Sequence, residues 1–192
     1  MDSTVLCTEI KVRVDSLRKQ SDAVIVIAID GRAASGKTTF AEKLSSVLSA
    51  GVVHLDDFFL PPKLKTSQRL STPGGNINYE RFIHDALPYI RDPRPFSYPV
   101  YDCRVDEIHE SRTVPAGTVR IVEGVYSFHP AFGNYADIKL FIDIDAAEQK
   151  NRIHRRNGEP LEYKFLHEWI PLEEHYFAAL SVSAAADRIY TL

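Results

Sequence analysis

Apolar positions recur along this chain at two periods, and the alternation between them predicts a parallel sheet wrapped by helices. Residues 23–29 form an unbroken, β-branched run that is too short to cross a bilayer and reads as a buried strand. Phe40, Ala41, Leu44, Val47 and Leu48 then recur at helical spacing. Before this pair, Ile10, Val14 and Leu17 mark an amphipathic helix over 8–19; after it, 52–55 is a short strand ending at Asp56 and Asp57. The Pro-, Gly-, Ser- and Asn-rich segment 61–79 reads as an excursion loop, and helical spacing returns over 79–90 through Phe82, Ile83, Ala86 and Leu87. Prolines in 91–115 predict extended structure, or a small strand pair lying off the main sheet. Strands follow at 119–122, 140–144 and 188–192, with helices over 146–156 and 161–180. Strands alternating with helices predict an α/β fold of three layers, a mainly parallel five-stranded sheet with helices on both faces and ligands at the carboxyl ends of the strands.

Composition narrows the picture. A chain of 192 residues suits a single domain over 1–192, with the excursion at about 60–115 and a lid region at about 150–165. Acidic residues outnumber basic ones by 26 to 23, so neither a nucleic-acid nor a membrane partner is expected. The first residues lack a basic and apolar leader, and Cys7 and Cys103 make no metal or redox spacing; a cytoplasmic protein with reduced thiols is expected. The oligomeric state stays open, a homo-oligomer included.

The chemistry begins where the first strand ends. Gly31-Arg32-Ala33-Ala34-Ser35-Gly36-Lys37-Thr38 lies between strand and helix, the context of a Walker A phosphate loop. Small residues let successive amides approach a polyphosphate, and the helix N-terminus adds its positive dipole end. Nucleotide contacts are therefore expected from Gly31, Ala33, Ala34, Ser35, Gly36, Lys37, Thr38 and Thr39, with Lys37 on the outer phosphates and the Thr38 hydroxyl on Mg²⁺. Asp56 and Asp57 end the second strand, where a carboxylate can accept a proton from a substrate hydroxyl and help hold Mg²⁺. Glu123 ends an apolar strand before Gly124, in the place of a Walker B-type carboxylate. Arg152, Arg155 and Arg156 cluster on one helix face with no matching acid expected there, a set suited to the charge on a transferring phosphoryl group.

These blocks, together with Asp56-Asp57-Phe58-Phe59, Pro99-Val100-Tyr101-Asp102 and Phe141-Ile142-Asp143-Ile144-Asp145, resemble the uridine kinase and phosphoribulokinase group of P-loop kinases. The resemblance runs in order from the first strand to the arginine helix. It implies a P-loop NTPase fold and an ATP- and Mg²⁺-dependent enzyme that phosphorylates a hydroxyl of a small molecule. It implies further that Asp56 is the base toward the acceptor, that Thr38, Asp56 and Glu123 surround Mg²⁺, and that Arg152 and Arg156 close over the phosphates beside Lys37. Acceptor contacts are implied for Tyr101, for Asp57, which stands where the group usually has serine so that a split role between Asp56 and Asp57 stays open, and for Asp106, which aligns with a base-contacting histidine. The chain departs from the group at Pro73-Gly74-Gly75-Asn76-Ile77-Asn78, where an acidic acceptor-binding loop would stand, and at Asn157-Gly158-Glu159-Pro160, where a second arginine set would. Catalysis is expected to persist with an altered acceptor pocket.

Other residues point less far. The seven histidines form no zinc-type spacing. Phe165, Trp169, Leu172, Tyr176 and Phe177 read as core packing, and Lys63, Lys65 and Arg69 as solvated cations or as partners of an anionic acceptor. The chain lacks the guanine-reading Asn-Lys-x-Asp and the Leu-Ser-Gly-Gly signature of transport ATPases. The alternative to a kinase is a P-loop NTPase, or a nucleotide-binding regulatory module, without a small-molecule acceptor.

Overall fold

The structure is a computed structural model that describes residues 3–192. Five strands form one sheet: β1 (Ile25–Gly31), β2 (Gly51–His54), β5 (Val119–Glu123), β6 (Ile138–Asp143) and β7 (Arg188–Thr191), in the order β2-β5-β1-β6-β7. Every pairing in it is parallel. β1 lies at the centre and is buried along its whole length, which is why its sequence is continuously apolar rather than alternating. Its side chains nevertheless divide between the faces. Val26 and Ala28 join a core with Phe58, Phe82, Tyr98 and Tyr176, whereas Ile25, Ile27 and Ile29 pack with Leu6, Ile10, Phe40 and Leu44 of helices α1 (Ser3–Arg18) and α2 (Lys37–Leu48).

The segment after β2 carries short helices α3 (Ser67–Leu70), α4 (Tyr79–Asp85) and α5 (Leu87–Ile90), then the antiparallel pair β3 (Phe96–Asp102) and β4 (Glu107–Val114), which stands apart from the main sheet as the prolines predict. The single helix expected over 79–90 is broken at Ala86. Pro88 has no amide to donate and sits instead in the first turn of α5, where none is needed.

Helices α6 (Ala146–Asn157), α7 (Glu159–Lys164) and α8 (Ile170–Ala179) follow β6. The helix expected over 161–180 is interrupted by a π-helical turn, Phe165–Trp169, just before Pro171 removes a backbone donor from the ladder. The aromatic stretch divides there. Tyr176 and Phe177 are core residues, but Phe165 and Trp169 are only partly buried and face a cleft, contrary to the packing role expected for all of them. No helix among the described residues is long and apolar enough to cross a membrane.

Candidate active site

The carboxyl ends of β1, β2 and β5 converge on the phosphate loop. Gly31 ends β1 opposite Ile142 with φ +139°, and a Cβ there would lie 2.0 Å from the Ile142 carbonyl oxygen, so the turn into the loop requires glycine. Ala34 and Gly36 also take positive φ, reversing the chain into α2.

Neighbouring elements fasten the loop. The Arg32 guanidinium pairs with Asp143 and reaches Glu174 at 2.7 and 3.0 Å. The Ala33 N–H donates to Glu173 Oε2 at 3.0 Å, and the Ala33 carbonyl accepts from Gln149 at 3.0 Å. Lys37 is buried, with Nζ donating to the Gly31 and Arg32 carbonyls at 2.8 and 2.7 Å. No carboxylate of a described residue is hydrogen-bonded to it. Arg152 donates to Glu148 at 2.8 Å and to the Leu192 carbonyl at 2.9 Å, and lies 3.4 and 3.5 Å from the Ala34 and Ser35 carbonyls. Arg155 reaches the same Glu148 at 3.4 Å. The arginine face therefore does carry an acid, one turn before Arg152, and the expectation of unmatched cations is corrected. Arg156 lies with its guanidinium 5.6 Å from the Phe165 ring centre.

Across from the loop, the Thr38 hydroxyl is 3.3 Å from each oxygen of the buried Glu123. Glu123 also takes His54 Nδ1 at 2.6 Å; burial works against the His54 imidazolium, but that hydrogen bond and the Glu123 charge outweigh it and raise its pKa. The Asp56 side chain opens onto the cleft and makes no hydrogen bond or ion pair with a described residue. The protein around it, and then the Glu123 carboxylate, push its carboxyl up to about 6.

Adjacent aspartates take opposite directions. Asp57 turns inward, accepting from the Tyr98 hydroxyl at 2.9 Å and Arg112 Nε at 2.8 Å, and so ties the β3–β4 pair to the end of β2. The Tyr101 hydroxyl donates to Asp106 at 2.8 Å, and Asp106 takes φ +56°. Of the three residues expected to meet the acceptor, none lines the cleft; Cys103 and Arg104, between Tyr101 and Asp106, do.

The cleft measures about 570 Å³. One side is the loop and its helix, with Ala33, Ala34, Gly36, Lys37, Thr38 and Thr39, and with Arg152 and Arg156 from α6. Gly31 and the buried Ser35 lie behind that wall. Asp56 and Glu123 face the same space, with Phe59, Lys65 and Asn76 from the excursion and Phe165, Trp169 and Glu173 from the lid side. Glu173 escapes a sequence reading because nothing in its spacing marks it. Burial pushes its carboxyl up to about 7, against the pull of Lys37 and the Ala33 amide. Asp30, equally unmarked, is fully buried and accepts from the Gly31, Tyr126 and Phe128 amides and the Tyr176 hydroxyl, which fixes the turn after β5.

Thr38, Glu123 and Asp56 offer a hydroxyl and carboxylates, the oxygen donors a hard divalent cation prefers. Among the described residues no group of three or more His, Cys, Asp and Glu side chains is placed to hold a metal. Such a site suits an ion that shares its coordination with phosphate and water rather than one held in a protein cage.

No family model matches the chain. It is 26% identical over 157 residues to uridine-cytidine kinase C of Dictyostelium discoideum, an alignment covering 78% of this chain and 35% of that protein. It is 24% identical over 159 residues to inorganic pyrophosphatase TTM1 of Arabidopsis thaliana, covering 76% and 24%, and 26% identical over 138 residues to uridine kinase of Ureaplasma parvum, covering 65% and 64%. The chain thus spans about a third, a quarter and two thirds of these relatives. Among solved structures it resembles a possible uridine kinase from Bacillus stearothermophilus (TM-score 0.65, 22% identity, 95% of this chain and 99% of that one). It also resembles a proposed fructose transport system kinase from a Silicibacter species (TM-score 0.68, 21% identity, 99% of each chain). These two likenesses concern the fold. Taken with the sequence relatives, they show a likeness to uridine kinase-like P-loop kinases.

Proposed function

We propose that this protein transfers the terminal phosphoryl group of ATP to a hydroxyl of a small-molecule acceptor. The observation that carries the reading is the Asp56 carboxylate, which makes no hydrogen bond or ion pair with a described residue and faces the same cleft as the phosphate loop. In this mechanism the loop amides and Lys37 hold the β- and γ-phosphates. Lys37 leaves the Gly31 and Arg32 carbonyls for the phosphates, exchanging neutral acceptors for charged ones. Asp56 accepts the proton of the attacking hydroxyl and fixes its direction of attack. Because the phosphoryl transition state is loose, direction matters more than the strength of the base. Arg152 and Arg156 stabilise charge on the transferring group, and the aromatic side chains Phe165 and Trp169 shield it from water. Thr38, Asp56 and Glu123 would hold Mg²⁺, which supplies charge neutralisation of the phosphate oxygens when bound.

The reading is tested by incubating the chain with ATP and Mg²⁺ and a panel of nucleosides, sugars, vitamin alcohols and their monophosphates, with Asp56→Ala as the blank. A phosphorylated product detected by mass spectrometry with the parent chain and absent with the variant supports it. ATP consumed at the full rate without any acceptor would favour an NTPase instead.

A further inference from the structure

We infer that Lys65 recognises an anionic group on the phosphoryl acceptor, so that the acceptor is an alcohol bearing a carboxylate or a phosphate. This rests on the kinase reading above.

Lys65 follows a 3₁₀ turn (Pro62–Leu64) and precedes α3, and its side chain lines the cleft while half-buried. Arg104, which lines the same cleft, is paired with Asp102 at 2.6 Å. The Lys65 ammonium makes no hydrogen bond and no ion pair with a described residue. Glu168 and Asp106 are the carboxylates near enough to act on it, alongside the opposing Lys164 and the Cys103 thiol, but neither comes within the 4.0 Å of an ion pair. Asp106 is already bound by the Tyr101 hydroxyl. Burial disfavours the Lys65 ammonium, and the charges of Cys103, Glu168 and Asp106 offset that cost only in part. A ligand anion would offset the rest.

A second observation comes from the loop where the chain departs from the group it resembles. Asn76 lines the same wall, is 4% exposed, and its Oδ1 has no protein partner. A neutral amide thus adds no negative charge to this wall, and its oxygen, an acceptor, suits a hydroxyl of the ligand while the anionic group meets Lys65. Phe59, Lys65, Asn76, Cys103 and Arg104 line the same cleft as Asp56. The arrangement separates the reacting hydroxyl, at Asp56, from an anionic anchor, at Lys65.

The test compares matched compounds with the full chain: glycerol against glycerate and glycerol 3-phosphate, ribose against ribonate and ribose 5-phosphate, and uridine against its 5′-monophosphate. Binding is read from the emission of Trp169, the chain's one tryptophan, with ADP and Mg²⁺ present to occupy the phosphate loop. Phosphoryl transfer is read separately with ATP. At least one anionic compound is expected to bind at least ~10-fold more tightly than its neutral counterpart. Lys65→Met should weaken that binding by about 10- to 100-fold, the range of a charged hydrogen bond, and raise KM with little change in kcat. Lys65→Arg should keep most of the binding. Relative use of carboxylated and phosphorylated compounds identifies the anion. The inference is overturned if neutral compounds bind as well as anionic ones, if no anionic compound binds, or if Lys65→Met weakens both classes alike. Charge-dependent binding that needs Lys65 but leads to no transfer would sink the kinase reading and leave the anion site standing.

Discussion

The Glu173 carboxylate accepts the backbone N–H of Ala33 at 3.0 Å, so a helix on the lid side of the cleft holds an amide of the phosphate loop. Glu173 is 6% exposed, and burial raises its carboxyl from an ordinary 4.5 to about 7. A carboxyl raised on folding costs stability when it ionises. The folded state is favoured most while Glu173 is protonated, loses stability as pH rises from 4.5 through about 7, and stays at the lower level above that. Glu173→Gln keeps an acceptor for Ala33 and removes the charge. Its melting temperature should match the parent near pH 4.5 and exceed it increasingly up to about pH 7, where the gap levels off. A gap that is constant with pH, read by calorimetry, would contradict this role.

Asp56 and Asp57 should separate cleanly. Asp56→Ala is expected to lower kcat by about 10²–10⁴ with no loss of stability and a gain above about pH 6, since its raised carboxyl costs stability when it ionises and makes no hydrogen bond or ion pair with a described residue. Asp57→Ala strands Tyr98 and Arg112 and should cost about 1–3 kcal/mol in urea unfolding, with the smaller effect on kcat. The reverse pattern would exchange the two assignments.

Gly31→Ala should fail at the level of folding. The new Cβ meets the Ile142 carbonyl of the adjacent strand at 2.0 Å, and backbone there cannot yield without unzipping β1 from β6. Loss of soluble, cooperatively melting protein is expected, whereas Gly133→Ala, with open space around it, should remain folded despite its positive φ. Equal melting of Gly31→Ala and the parent would refute the close approach.

Trp169 lines the cleft with Phe165, packed edge to face at 4.6 Å between ring centres. Its emission should therefore shift on adding ADP with Mg²⁺, and the shift should need Lys37. If Lys37→Met binds ADP within about twofold of the parent, the ammonium does not act on the phosphates, because a charged hydrogen bond is worth at least about tenfold.

The fold was legible because its signals are local: the continuous apolar β1, the helical stripe of α2, and the glycine-bounded loop between them. The gathering of Lys37, Thr38, Asp56 and Glu123 at one cleft was legible too, since each lies at or a few residues after the end of a strand. What escaped depends on distance in sequence. Glu173 reaches Ala33 across 140 residues. The Glu148–Arg152 pair is instead an i,i+4 contact that the helical spacing of 146–156 already allowed. Asp57, Tyr101 and Asp106 carry chemistry by residue type, yet geometry assigns them to Tyr98, Arg112 and to each other. The wall of the cleft that carries Lys65 and Asn76 is built on an irregular excursion that has no periodicity to read.

The central claim, that Asp56 serves transfer to an acceptor hydroxyl, is tested most directly by ADP formation with and without an accepted compound, in the parent chain and in Asp56→Asn. The account predicts acceptor-dependent ADP formation in the parent that falls by about 10²–10⁴ in Asp56→Asn, with ADP binding retained in both. ADP formation within about twofold of the parent in Asp56→Asn would contradict it.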